Sequence, residues 1–182
     1  MDGRLCAAYT SLIMRCRSLA MAATAVTLLV ACSYGQQSKV PTEWEKLPSP
    51  DGSLVAVVTT FHTGAASAES RVEVQTRSGK PLAEWSYRSA DGEHGLGVVK
   101  TQWTPDSRYF VYSLQSSGGH QPWHSPVQYF SRKSNSFRSL EEAVNGGVSN
   151  PEFGISAPDT VTVDLYPSRS AEVSLSALET AR

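Results

Sequence analysis

Sliding the sequence along itself by 55 positions brings two stretches into register without a gap, and this internal repeat limits the fold more than any other feature. Ser49-Pro50-Asp51-Gly52 falls on Thr104-Pro105-Asp106-Ser107. Leu54-Val55-Ala56-Val57-Val58 then falls on Tyr109-Phe110-Val111-Tyr112-Ser113, and Val72-Glu73-Val74-Gln75-Thr76 on Val127-Gln128-Tyr129-Phe130-Ser131. Arg77 meets Arg132, and Leu82 meets Phe137. A shorter third copy opens at Ala157-Pro158-Asp159-Thr160 and continues into Val161-Thr162-Val163-Asp164-Leu165. The three units occupy about 48–88, 103–142 and 156–177.

Each Pro-Asp stretch has the chemistry of a turn. Proline presets φ at the second turn position, and the aspartate accepts hydrogen bonds from the amides that follow. The runs behind the turns are rich in Val, Tyr and Phe and in places alternate in polarity, as strands do. Ser78-Gly79-Lys80 and Ser134-Asn135-Ser136 occupy matching places and read as hairpin turns. Each unit therefore reads as strand, long loop, strand, tight turn, strand. A helix is expected near Leu140-Glu141-Glu142-Ala143-Val144, ended by Asn145-Gly146-Gly147.

The fullest copy, Trp103-Thr104-Pro105-Asp106-Ser107-Arg108-Tyr109-Phe110-Val111-Tyr112-Ser113, resembles a blade of the TolB-type and WD-type β-propellers. Propellers close with about 4–8 blades of four strands, and two full units with a truncated third cannot make such a ring. The expected fold is all-β: an antiparallel meander of blade-like repeats forming an open sheet or sandwich, or a fragment completed by self-association.

Ahead of the repeats, Arg15 and Arg17 precede an uncharged run from Leu19 to Ala31, the n-region and h-region of an export signal. The run is shorter than the about 20 apolar residues that a membrane-spanning helix needs. It ends in Leu29-Val30-Ala31-Cys32, which resembles the lipobox of bacterial lipoproteins. The resemblance implies a signal peptide over 1–31 (starting at Met1 or Met14), cleavage before Cys32, and acylation of that cysteine. The polar stretch 32–42 would then serve as a tether to a single β-rich domain over 43–182. Two or more acyl chains hold a protein stably at a bilayer. Ser33 following the cysteine implies passage to the outer membrane of a Gram-negative host, with the domain facing the periplasm.

Loss of Arg4, Arg15, Arg17 and Asp2 with the signal moves the formal charge from −1 to about −3. No basic footprint remains for nucleic acid. Cys6 and Cys16 precede the cleavage point and Cys32 would carry lipid, which leaves no thiol for a disulfide or a metal site.

Loops on a rigid sheet are where binding concentrates. The loop 116–126 contains His120, Trp123 and His124, whereas the matching loop 61–70 has one histidine among small residues. A metal reading takes His120 and His124 with His94, Glu93 or Asp91 from the loop around 90–95. Pro122 and the paired glycines oppose the helix that would put both loop histidines on one face. The bland account is imidazoles bonded to backbone carbonyls or water, and neither a metal nor another cofactor is assigned. A glycan reading uses Trp123, Trp85 or Tyr87 as stacking platforms, against the common role of such rings as core or cross-strand partners. Trp103 reads as structural.

No nucleophile elbow, phosphate-cradling glycine loop or H-E-x-x-H motif is present. Asp51, Asp106 and Asp159 are better explained as acceptors in the repeated turns. The sequence points to a lipid-anchored, non-catalytic binding or assembly module partnered with an envelope protein or glycan. The competing class is a metal-dependent or hydrolytic accessory enzyme.

Overall fold

Three antiparallel sheets follow one another along the chain in the computed structural model, which describes residues 43–64, 67–119 and 121–180. The first holds β1 (Glu43–Pro48), β2 (Leu54–His62), β3 (Ala68–Thr76) and β4 (Pro81–Ser86) in sequential order. The second repeats that meander with β5 (Leu96–Trp103), β6 (Tyr109–Ser116), β7 (Val127–Ser131) and β8 (Ser136–Ser139). The third has β9 (Val148–Ser156), β10 (Thr160–Leu165) and β11 (Arg169–Ser174), and the chain goes on into one helix, α1 (Leu175–Thr180). The fold is thus the all-β antiparallel meander expected, and among the described residues the sheets do not close into a barrel or a ring.

The 55-residue offset is preserved in the pairing. Leu54 faces Thr76 in the first sheet, and their equivalents Tyr109 and Ser131 face each other in the second. It is preserved also in the turns. The Ser49 hydroxyl donates to Asp51 at 2.7 Å and accepts from the Leu54 amide at 3.0 Å; Thr104 does the same with Asp106 at 2.7 Å and Tyr109 at 3.1 Å. Asp51 accepts from the Ser53 amide and Asp106 from the Arg108 amide. Gly52 (φ 68°) and Ser107 (φ 61°) adopt the same left-handed conformation, so serine at the second site tolerates a geometry that glycine meets without cost.

The second sheet lies between the other two and is buried on both faces. Phe110, Tyr112, Leu114 and Phe130 pack toward the first sheet with Leu54, Ala56, Val72 and Val74. Tyr109, Val111, Val127 and Tyr129 pack toward the third with Phe153, Val161, Val163 and Leu165. Leu54, Ala56, Val72 and Val74 are the offset equivalents of Tyr109, Val111, Val127 and Tyr129, so each sheet presents the same face to the next. The outer faces are mostly polar. One cross-strand row of the first sheet reads Lys46, Val57, Glu73, Glu84, and rows of the third read Gly154, Thr162, Glu172 and Ser156, Thr160, Ser174. Polar outer faces end a stack of repeats.

The Pro-Asp turns lie at one end of the sheets and are bonded across them. The Asp51 amide donates to Ser107 Oγ at 3.0 Å, and Arg132 donates to Asp51 at 2.7 Å. Arg108 donates to Asp106 at 2.6 Å and to the buried Asp159 at 3.0 Å. Asp159 also accepts from Ser174 Oγ and the Ser176 amide, which secures the start of α1. Glu179 near the helix end accepts from the hydroxyls of Tyr109 and Ser131 in the second sheet.

The structure departs from the sequence reading at three places. Each sheet begins one strand before the expected unit, because β1, β5 and β9 pair across the Pro-Asp turns with β2, β6 and β10. The loop expected over 61–70 shrinks to 63–67, since β2 and β3 stay paired as far as His62 and Ala68. The helix expected near 140–144 is a single 3-10 turn, Leu140–Glu142, capped by the Ser139 hydroxyl and ended at Ala143, whose amide donates to the Leu140 carbonyl. Cys32 and the tether lie outside the described residues, as does His120.

Asp51 is held well below the ordinary carboxylate value of 3.8 by the Ser49 hydroxyl first, then the Ser53 amide and Arg132. For Asp106 partial burial pulls upward, but the bonds from Thr104 and Arg108 outweigh it and the net shift is downward. Depressed folded-state values mean that the unfolded chain binds more protons, so this stabilisation is complete above the ordinary value and is lost as pH falls through the folded ones. The urea midpoint should therefore be level near neutrality and fall below about pH 4. Asp106→Asn should lower the neutral midpoint and flatten the acid decline.

Candidate functional site

The ends opposite the Pro-Asp turns carry the long connections, and there the 117–126 loop meets the third sheet. Gln121, Pro122, Trp123 and His124 form a turn closed by the His124 amide donating to the Gln121 carbonyl at 3.2 Å, with proline at the position where its fixed φ is suited. This turn lifts Trp123 into solvent at 62% exposure. The next amide, Ser125, donates to the Val148 carbonyl at the start of β9 at 2.8 Å. Glu141 Oε1 accepts from the Val148 amide at 3.0 Å and stands 2.8 Å from His124 Nε2. One carboxylate oxygen thus holds both the loop and the strand on which the loop rests.

The other root of the loop is tied as firmly. Ser117 donates its amide to the Gly95 carbonyl at 2.9 Å and its hydroxyl to the Glu93 carbonyl at 3.1 Å. Gly95 is positioned by the fully buried Glu69, which accepts the Gly95 amide at 3.0 Å and also the Ser89 amide and hydroxyl. A Cβ on Gly95 would come within 2.4 Å of Glu69 Oε1 and of the Tyr87 carbonyl, which is why the position requires glycine.

Facing Trp123 across Gly147 is Tyr166, 65% exposed, on the turn between β10 and β11. The Tyr166 amide donates to the Gly147 carbonyl at 3.0 Å, and the Ser168 amide closes the turn onto Leu165. Gln121, Trp123, His124, Gly147 and Tyr166 line an open hollow of about 640 Å³. Its size falls within the range of about 300–1,000 Å³ usual for small-molecule sites. Two large exposed rings from two different sheets therefore share one concavity whose floor and walls are pinned by backbone hydrogen bonds.

The remaining sequence candidates separate. His94 Nδ1 lies 2.5 Å from Asp91 Oδ2 within its own loop, where Asp91 also accepts the Glu93 amide. Asp91 is depressed below the usual carboxylate range by the Glu93 amide first, then Ser89 and His94. His94 and Asp91 therefore form one pair, His124 and Glu141 another. Among the described residues no group of three or more His, Cys, Asp or Glu is placed to hold a metal ion. Trp85 is exposed on β4, away from the hollow's lining. Tyr87 is mostly buried, bonds Tyr112 through the two hydroxyls at 2.7 Å, and is pushed up to about 12 by burial. Trp103 is buried, with its indole N–H donating to the Leu47 carbonyl at 2.9 Å.

Two residues of the hollow, Tyr166 and Gly147, lie outside the loop singled out from sequence. The repeat itself held the signal for Tyr166, because the β10–β11 turn is the third unit's counterpart of the 117–126 loop.

No protein-family model matches this chain, and no curated protein matches it.

Glu141→Ala should leave the buried Val148 amide without an acceptor and release His124, costing roughly 1–3 kcal/mol in urea unfolding. Glu141→Gln keeps an acceptor oxygen and should retain most of that stability.

Proposed function

We propose that this chain is a lipid-anchored, non-catalytic binding module of the bacterial envelope, and that the hollow between Trp123 and Tyr166 is its ligand site. The observation that carries the reading is the pairing of two exposed aromatic rings on separately anchored loops. Exposed rings in a fixed frame present apolar area at little entropic cost on binding. The acid–base pair at the hollow supports a positioning role, since Glu141 Oε1 is engaged by both His124 and the Val148 amide. The envelope location rests on the lipobox at Leu29-Val30-Ala31-Cys32 and on the uncharged run before it.

The site is tested by titrating the protein with fractionated envelope material while following tryptophan fluorescence. A saturable change is expected for the unaltered protein and none for Trp123→Ala, whose ring is exposed and whose removal should leave the urea midpoint unchanged. Saturable binding that persists in Trp123→Ala would place the site elsewhere. Conversion of the bound material into product on incubation would favour the accessory-enzyme reading instead.

The anchor is tested by intact-mass analysis of membrane fractions. The unaltered chain should begin at Cys32 with added acyl mass, and Cys32→Ala should be unacylated and no longer membrane-bound. A wild-type chain lacking acyl mass would remove the envelope assignment.

A further inference from the structure

Tyr166 borders a second hollow as well as the first. Beyond its ring lies a polar concavity of about 570 Å³ formed around Ser149, Asn150, Asp164, Ser168 and Arg169. A bulge creates it. In the β9–β10 pairing Val163 faces Phe153 while Leu165 faces Val148, so residues 149–152 stand opposite Asp164 alone. Bulges of this kind re-aim side chains and are frequent beside binding sites. Here the bulge brings Asn150 Nδ2 to 3.3 Å from Asp164 Oδ2 and turns Ser149 onto the Asp164 carbonyl. Arg169 is held by Nη2 donating to the Asn145 carbonyl at 2.8 Å.

These groups keep unused hydrogen-bonding capacity. Among the described residues the second Asp164 carboxylate oxygen, the other amide hydrogen of Asn150 and the remaining guanidinium hydrogens of Arg169 have no hydrogen-bond partner and are open to a ligand. The continuous surface thus runs from an apolar, aromatic half at Trp123 and Tyr166 to a planar polar half at Asn150, Asp164 and Arg169. Building on the proposed ligand site, we infer that its ligand is an oligosaccharide of at least two rings, stacked on Trp123 and Tyr166 and hydrogen-bonded beyond Tyr166 by Asp164, Asn150 and Arg169. A sugar ring has one face of C–H groups and a rim of hydroxyls, each both donor and acceptor. Flat aromatic rings match the face, and a mixed set of planar acceptors and donors matches the rim. A peptide added to an edge strand would be held mainly by main-chain bonding; the polar groups named here at the second hollow are the side chains of Asn150, Asp164 and Arg169.

The test is a panel of immobilised bacterial surface oligosaccharides from one to six rings, with free peptides of similar length as the second arm, followed by calorimetry on the best binder. Affinity should rise between one ring and about four as both hollows fill, and should drop about tenfold or more in Trp123→Ala and in Tyr166→Ala. Asp164→Asn should weaken the longer sugars and spare the single ring. Peptide binding lost in Trp123→Ala would overturn the oligosaccharide while leaving the ligand site standing. Absence of binding in both arms, or sugar binding indifferent to all three substitutions, would overturn both.

Discussion

Burial of β6 and β7 on both faces is the constraint from which the rest of the structure follows. Phe110, Phe130 and Tyr112 on one side and Tyr109, Val111 and Tyr129 on the other are all essentially removed from water. Each fully buried large side chain contributes about 1.5–3 kcal/mol. The first and third sheets have only one apolar face apiece, so neither could bury its own core alone. A strand buried on both sides loses polar alternation, which is why Tyr109-Phe110-Val111-Tyr112 reads as a continuous apolar run.

The two ends of the stack do different work. At one end, short turns built on Asp51, Asp106 and Asp159 bond to one another through Ser107, Arg108 and Arg132 and fix the spacing of the sheets. At the other, longer loops pass between sheets and are tied down by Glu69 and Glu141. That division gives the loop end freedom to vary in sequence while its anchor points stay fixed. The mostly polar rows on the two outer faces, with Lys46, Glu73 and Glu84 on one and Thr162 and Glu172 on the other, offer a further sheet little apolar surface to pack against.

Much of this was legible in the sequence, because turn chemistry and strand patterning are local. The Pro-Asp turns, β2, β3, β6, β7 and β10 could be placed from residue types alone. What escaped was non-local. β1 and β9 carry Glu, Lys, Asn and Pro between their apolar residues, and they become strands only through pairing across the turns. The six residues of α1 have little intrinsic helical stability and depend on Asp159 at one end and on Tyr109 and Ser131 at the other. Within the site, Trp123 and His124 stood out by composition. Tyr166 did not, since its meaning comes from the sheet that seats it opposite Trp123.

Residue-resolved hydrogen exchange on residues 43–182 tests the central claim most directly. If the doubly buried sheet holds the stack together, amides of β6 and β7 should exchange only through global unfolding, and those of β1 and β11 should exchange faster through local opening. Exchange of β6 and β7 at the rate of the outer strands, or separate unfolding of the first and third sheets while the second stays protected, would contradict the account.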